Sequence, residues 1–252
     1  SFDDNVIGQF ITDLSNTFNV SSEFTRIEIE ESAKMALAFE KLQSDYNLDA
    51  VAMNFQTVVN AKAKTLPFLG ACNLLKKGIG YAGESDVMSA TLTAALSQIS
   101  SKTTFTEIYS PDYQRNELLL SHMGECNYTL ANNKLQIDLK PKPFNWGKCL
   151  RPAVPVFQMI PGKAILVSIS ETQDKHSFQL LAFECSVIET KVQPNLTVPY
   201  TKIKLNMDIR DFLVQYSKMG GTHHLSLIYN CDLHNIATLA ELCQINFKTV
   251  GN

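Results

Sequence analysis

The chain has 252 residues, with 22 Lys and Arg against 25 Asp and Glu, a formal charge of -3 and no Lys/Arg-rich run, which argues against a nucleic-acid partner. Hydrophobic residues make up 45% and charged residues 19%, enough apolar material for a full core and no compositional reason for disorder. No apolar run reaches the roughly 18 residues of a membrane-spanning helix, and the acidic opening SFDDNVIGQF is unlike a signal peptide, so a cytoplasmic protein with no membrane partner is expected.

Glu31 to Tyr46 reads as a helix, because Ala33, Met35, Ala36, Ala38, Phe39 and Leu42 fall at helical spacing between charges. The apolar run from Ala50 to Phe55 suits a buried parallel strand. A helix from Phe68 to Lys77 follows Pro67 and is ended by Gly78; then come a brief strand, Ile79 to Gly83, and a helix opened by Glu84 and running to about Ser97. This alternation predicts part of an open, Rossmann-like α/β sheet. From about Thr103 strands take over, clearest over Thr104 to Tyr109, Glu117 to His122, Lys163 to Ser170 and Ser177 to Glu189. Asp208 caps a helix to about Lys218, His223 to Tyr229 reads as a strand, and a helix from about Asp232 and a strand from Gln244 to Val250 close the chain. The expected organisation is an α/β part over residues 1–102 and a β-rich, barrel-like C-terminal domain over 103–252.

Six cysteines are scattered without a C-x-x-C pair, so reduced thiols are expected in place of a zinc knuckle or redox motif. Three N-x-S/T triplets, at Asn19, Asn127 and Asn195, carry no weight without a secretory signal.

Four polar residues stand out at strand ends. Glu84 follows the strand-like Ile79 to Gly83, outside the carboxyl end where open α/β sheets bind ligands, although an acidic residue there also suits a helix dipole. Glu107 interrupts an apolar, aromatic strand, and alternation groups it with Phe105 and Tyr109; an inward carboxylate needs a hydrogen bond, a cation or a metal. His122 closes the run NELLLSH. The His223-His224 pair precedes an apolar strand, where neighbours point to opposite faces, so that one ring would meet a metal and the other support it.

These residues lie in GYAGESDVMSATLTAAL, TTFTEIYSPDY, LLLSHMGECN and GGTHHLSL, which in that order resemble the metal-site segments of the L-arabinose isomerase family and its L-fucose isomerase relatives. LDAVAMNF and LPFLGACNLLKKGIGYAGESD resemble the segments leading into the first ligand, and the similarity runs from about Glu31 to the C-terminus. The resemblance implies a metal-dependent aldose-ketose isomerase working through an enediolate, with Glu84, Glu107, His122 and His224 as metal ligands. It also implies Glu84 and Glu107 as the catalytic acid and base, and Phe55, Tyr109 and His223 as substrate-binding residues. A mixed carboxylate and imidazole site favours Mn²⁺, with other divalent metals able to substitute. Two departures stand out: Ser85 replaces a glycine, a change tolerated if the backbone there does not need positive φ, and Gln56 replaces an acidic residue, which leaves the sugar open. The family's chains are nearly twice as long and form trimers or hexamers, so a fragment or processed product, inactive by itself, is expected, in keeping with a first residue that is Ser rather than Met. The alternative is an isomerase-like protein that binds a sugar without converting it.

Overall fold

A computed structural model describes residues 2–60, 63–132, 136–144, 149–174, 176–189, 193 and 195–251. The first part contains α1 (Asp4–Leu14), β1 (Asn19–Val20), α2 (Arg26–Tyr46), β2 (Ala50–Ala52), α3 (Phe55–Asn60), α4 (Phe68–Lys76), β3 (Gly80–Ala82) and α5 (Val87–Ile99). The helix predicted from Glu31 starts five residues earlier, at Arg26, because Thr25 and Glu28 form a capping box: Glu28 N–H donates to Thr25 Oγ1 and Thr25 N–H donates to Glu28 Oε2. The strand predicted to reach Phe55 stops at Ala52, since the Asn54 side chain accepts from Thr57 N–H (3.1 Å) and turns the chain into α3. β2 and β3 pair in parallel, and this two-stranded ribbon is the whole of the open sheet among the described residues.

The remainder contains β4 (Thr103–Asp112), β5 (Glu117–Ser121), β6 (Asp138–Pro141), β7 (Ala153–Val156), β8 (Gly162–Glu171), β9 (Phe178–Ile188), β10 (Tyr200–Lys204), α6 (Ile209–Lys218), β11 (His224–Tyr229), α7 (Leu233–Leu242) and β12 (Asn246–Thr249). Six strands close an antiparallel barrel in the order β10-β5-β4-β11-β8-β9, with β9 pairing back onto β10 and β12 added parallel to β9. The expected barrel-like architecture is therefore present. β1, β6 and β7 form a separate small sheet. No described helix is long and apolar enough to cross a membrane, and the six cysteines are free.

Alternation along the barrel strands builds two apolar layers. Leu166, Leu181, Leu225 and Leu227 pack with Phe183 and with Ile209, Phe212 and Tyr216, which α6 and the residues around it supply. Their neighbours Ile165, Val167, Leu180 and Ile228 face the other way and pack against Leu92 and Leu96 of α5 and Ile236 and Ala240 of α7. α5 thus joins the ribbon to the barrel wall. On one side it presses on β3 so closely that a Cβ at Gly80 would stand 2.1 Å from the Ala90 carbonyl oxygen, a contact only glycine permits. On the other, the fully buried Thr93 hydroxyl hydrogen-bonds Ser226 of β11 at 2.7 Å.

Candidate active site

The barrel register sets one row of side chains: Glu107 of β4 lies opposite Ser121 of β5 on one side and His224 of β11 on the other. His122 follows Ser121 directly, and its ring centroid lies 5.3 Å from that of His224. Phe105 forms the floor beneath both, its buried ring meeting His122 edge-on at 4.8 Å and His224 at 5.0 Å. A β-bulge between Ile108 and Ser110 breaks the alternation that grouped Phe105, Glu107 and Tyr109. Phe105 is buried, Glu107 half-buried, and Tyr109, the unpaired residue of the bulge, is exposed.

Glu84 reaches this row from β3. It does not open a helix: Glu84 and Ser85 are both left-handed, at φ 58° and 64°, and α5 begins at Val87 after an Asp86 cap that accepts from Ser89 N–H (2.8 Å). Asp86 supplies the local helix-start signal that was assigned to Glu84. Ser85 therefore occupies a position that does need positive φ, contrary to the condition under which its replacement of glycine is harmless.

His224 is buried and fixed from behind, its Nδ1 standing 2.8 Å from Asp86 Oδ2. Burial opposes ionisation of Asp86, but the His224 ring and the Ser89 amide outweigh it and hold the carboxyl at about 2. The other ring nitrogen, Nε2 of His224, is buried with no hydrogen-bond partner and lies 3.7 Å from Glu84 Oε2. His122 is held the same way, with Nδ1 2.8 Å from Glu125 Oε2. Burial alone would lower the His122 pKa; Glu125, with weaker help from Glu107 and Glu84, raises it instead. Glu125 is itself buried, and although burial raises its pKa, His122 brings it below the ordinary value. Its other oxygen accepts from the Tyr81 hydroxyl at 3.3 Å.

Asp86 and Glu125 were missed by sequence reasoning, though both lie in segments it singled out: Glu125 three residues after His122, and Asp86 two after Glu84. A carboxylate on the Nδ1 side of each imidazole is the usual arrangement behind a metal-binding histidine, since it fixes the ring and leaves Nε2 free. Four carboxylates, Glu84, Asp86, Glu107 and Glu125, thus gather around buried imidazoles, a surplus of negative charge that suits a cation. Among the described residues, the ligand atoms that come within 4.8 Å of one another are those of Glu84, His223 and His224, without Glu107 or His122; these nitrogen and oxygen donors, with the orphaned His224 Nε2, fit a divalent transition metal.

His223 is exposed, with Nε2 4.0 Å from Glu84 Oε2. Phe55 is buried against Phe68 and Phe144, and a Cβ on Gly83 would stand 3.1 Å from its ring tip and 3.0 Å from His122 Cε1, so Phe55 and His122 flank the same short stretch of backbone. Gln56 is exposed in the first turn of α3.

Comparison with known proteins shows the family of the chain. A family model described as the L-arabinose isomerase central domain matches residues 1–102, and one described as the L-arabinose isomerase C-terminal domain matches 102–246. An L-arabinose isomerase of Leuconostoc mesenteroides is 28% identical over 223 residues, covering 85% of this chain and 45% of the relative. One from Bacillus subtilis is 28% identical over 251 residues, covering 96% and 50%, and one from Klebsiella pneumoniae 27% over 234 residues, covering 90% and 46%. The chain spans about half the length of the curated relatives it matches.

Proposed function

Since the chain belongs to the L-arabinose isomerase family, we propose that it carries the metal-holding part of an aldose-ketose isomerase for small open-chain sugars. The observation that carries this reading is His224 Nε2, buried, without a partner, and turned toward Glu84 while Asp86 fixes the opposite ring nitrogen. A buried, unsatisfied imidazole nitrogen costs about 1–3 kcal/mol unless something binds it.

Glu84, Glu107, His122 and His224 would hold the ion, Mn²⁺ by the chemistry of the donors, with other divalent transition metals as substitutes. When bound, it supplies Lewis-acid polarisation of the sugar's carbonyl oxygen and the neighbouring hydroxyl oxygen. The protein's own groups then divide the remaining tasks. Asp86 and Glu125 hold the two buried rings in the tautomer with hydrogen on Nδ1. Of Glu84 and Glu107, one would take the proton from the carbon beside the carbonyl and return it to the former carbonyl carbon, while the other would carry a proton from the hydroxyl oxygen to the carbonyl oxygen, so that no net proton is gained or lost. Phe105 excludes water from below. His223, Phe55 and Tyr109 contact the sugar, and the rest of the pocket comes from the longer protein in its homo-oligomer, a trimer or hexamer.

The test is an isomerase assay on the full-length protein with Mn²⁺, using aldopentoses and 6-deoxyhexoses. Ketose formation is expected, and Glu84→Gln should reduce the rate at least ~10²-fold while the circular dichroism spectrum is unchanged, the loss typical of removing a general acid or base. Full activity in Glu84→Gln would refute the assignment.

A further inference from the structure

Sequence alternation assigns His223 and His224 to opposite faces, but the structure brings both rings to one carboxylate. β11 begins at His224, so His223 sits in the bend before it and is not bound by strand alternation; the two ring centroids are 4.0 Å apart with planes at 40°. One ligand atom from each of Glu84, His223 and His224 lies within 4.8 Å of the others. Ligands bonded at about 2.1 Å to one small cation stand roughly 3–4 Å apart, which the 3.7 and 4.0 Å separations from Glu84 Oε2 meet.

The two imidazoles differ sharply in access. The His223 side chain is 63% exposed and that of His224 3%, while Glu84, at 39%, spans the two environments. His224 Nε2 adds the independent sign of a missing ligand, being buried with no partner.

We propose that Glu84, His223 and His224 form an outer capture position for a divalent transition ion, with His223 the first nitrogen that an ion arriving from solvent meets. This rests on the reading that the chain holds such a metal, and adds a ligand outside the inner set of Glu84, Glu107, His122 and His224. Two imidazoles and one carboxylate select first-row transition ions over Mg²⁺ and Ca²⁺, which prefer all-oxygen surroundings. Passage inward keeps Glu84 and His224 on the ion and exchanges only His223 for His122 and Glu107, so the ion is never returned fully to water.

Stopped-flow mixing of the metal-free chain with Co²⁺, followed by its visible absorption and paired with equilibrium titration, separates capture from final affinity. His223→Ala is expected to slow association on the order of tenfold, equivalent to about 1.4 kcal/mol of lost stabilisation along the entry path, while the dissociation constant stays within about threefold because the inner set is intact. His223→Gln, which keeps a polar side chain at this exposed position, should be equally slow and guards against a folding defect. His122→Ala should do the reverse, binding fast but weakly. Association of His223→Ala at the wild-type rate would overturn the capture role alone; a wild-type chain that takes up no Co²⁺ would overturn the metal reading beneath it.

Discussion

Replacing Ser85 by glycine should make the chain more stable, although it removes a side chain. Ser85 has φ 64° and follows Glu84 at φ 58°, so two successive residues with Cβ atoms adopt the left-handed conformation. That conformation costs an L-residue about 1–2 kcal/mol through the clash of Cβ with the carbonyl oxygen. Glycine escapes the clash but gives up about 0.5–1 kcal/mol, because it is freer in the unfolded chain. The turn's own hydrogen bonds, Ser85 N–H to Met53 O and Val87 N–H to Ser85 O, both 2.9 Å, use backbone atoms that glycine retains. The balance is a gain of about 0.5–1 kcal/mol, which for a chain of this size raises the melting midpoint by roughly 1–4 °C. Urea unfolding should show a higher midpoint at an unchanged slope, and Ser85→Ala, which keeps the Cβ, should show none of the gain. An unchanged or lower midpoint for Ser85→Gly would refute the reasoning, because it would mean that the left-handed turn is not strained by its side chain.

Two further outcomes follow from the site and its scaffold. Asp86→Asn leaves an oxygen to cap Ser89 but removes the charge behind His224, and should weaken Mn²⁺ or Co²⁺ affinity by about 10–100-fold in a calorimetric titration. Glu28, hydrogen-bonded by Arg151 at 2.6 and 2.8 Å, has its carboxyl pulled down to about 2 by that guanidinium. The unfolded chain binds its proton near the ordinary value of about 4.3 and the folded chain only near 2, so the pair's stabilisation is complete above about pH 5 and lost as pH falls through 2. With Arg151 partly in solvent, we expect about 2 kcal/mol at neutral pH. Glu28→Gln keeps the capping oxygen, so acid titration of its stability should run about 2 kcal/mol below wild type at pH 7 and converge with it near pH 2.

The helices were legible where their ends carry chemistry: Asp208 and Asp232 mark α6 and α7, and Pro67 marks α4. The barrel was legible in kind, from short β-branched runs between turn residues. Its closure was not, since the β9–β10 seam joins strands across a connection with no local signature, and β10 itself was overlooked. β6 and β7 were hidden by Pro141 and Pro155, residues that read as strand breakers and are tolerated in short sheets. At the site, what was legible was the family resemblance, carried by the order of the segments that hold Glu84, Glu107, His122 and His224. The left-handed pair at 84 and 85 was not, because glutamate and serine do not announce that conformation as glycine or asparagine does. The same limit applies to Tyr109 and His223, both placed by strict alternation: a bulge and a strand end redirect them, and neither is written in residue type. Asp86 meets His224 across 138 positions, a pairing that only the packing of α5 on the barrel creates.

α5 and β11 touch at two levels, Asp86 on His224 at the mouth of the site and Thr93 on Ser226 about two turns deeper. Two pins on a helix and a strand suppress both sliding and pivoting, so the angle at which His224 presents its free nitrogen is inherited from the body of the molecule. Each pin joins a residue before position 102 to one after it. A hybrid that borrowed its barrel from a relative would have to bring matching partners for both helix residues, or its imidazole would be left to wander.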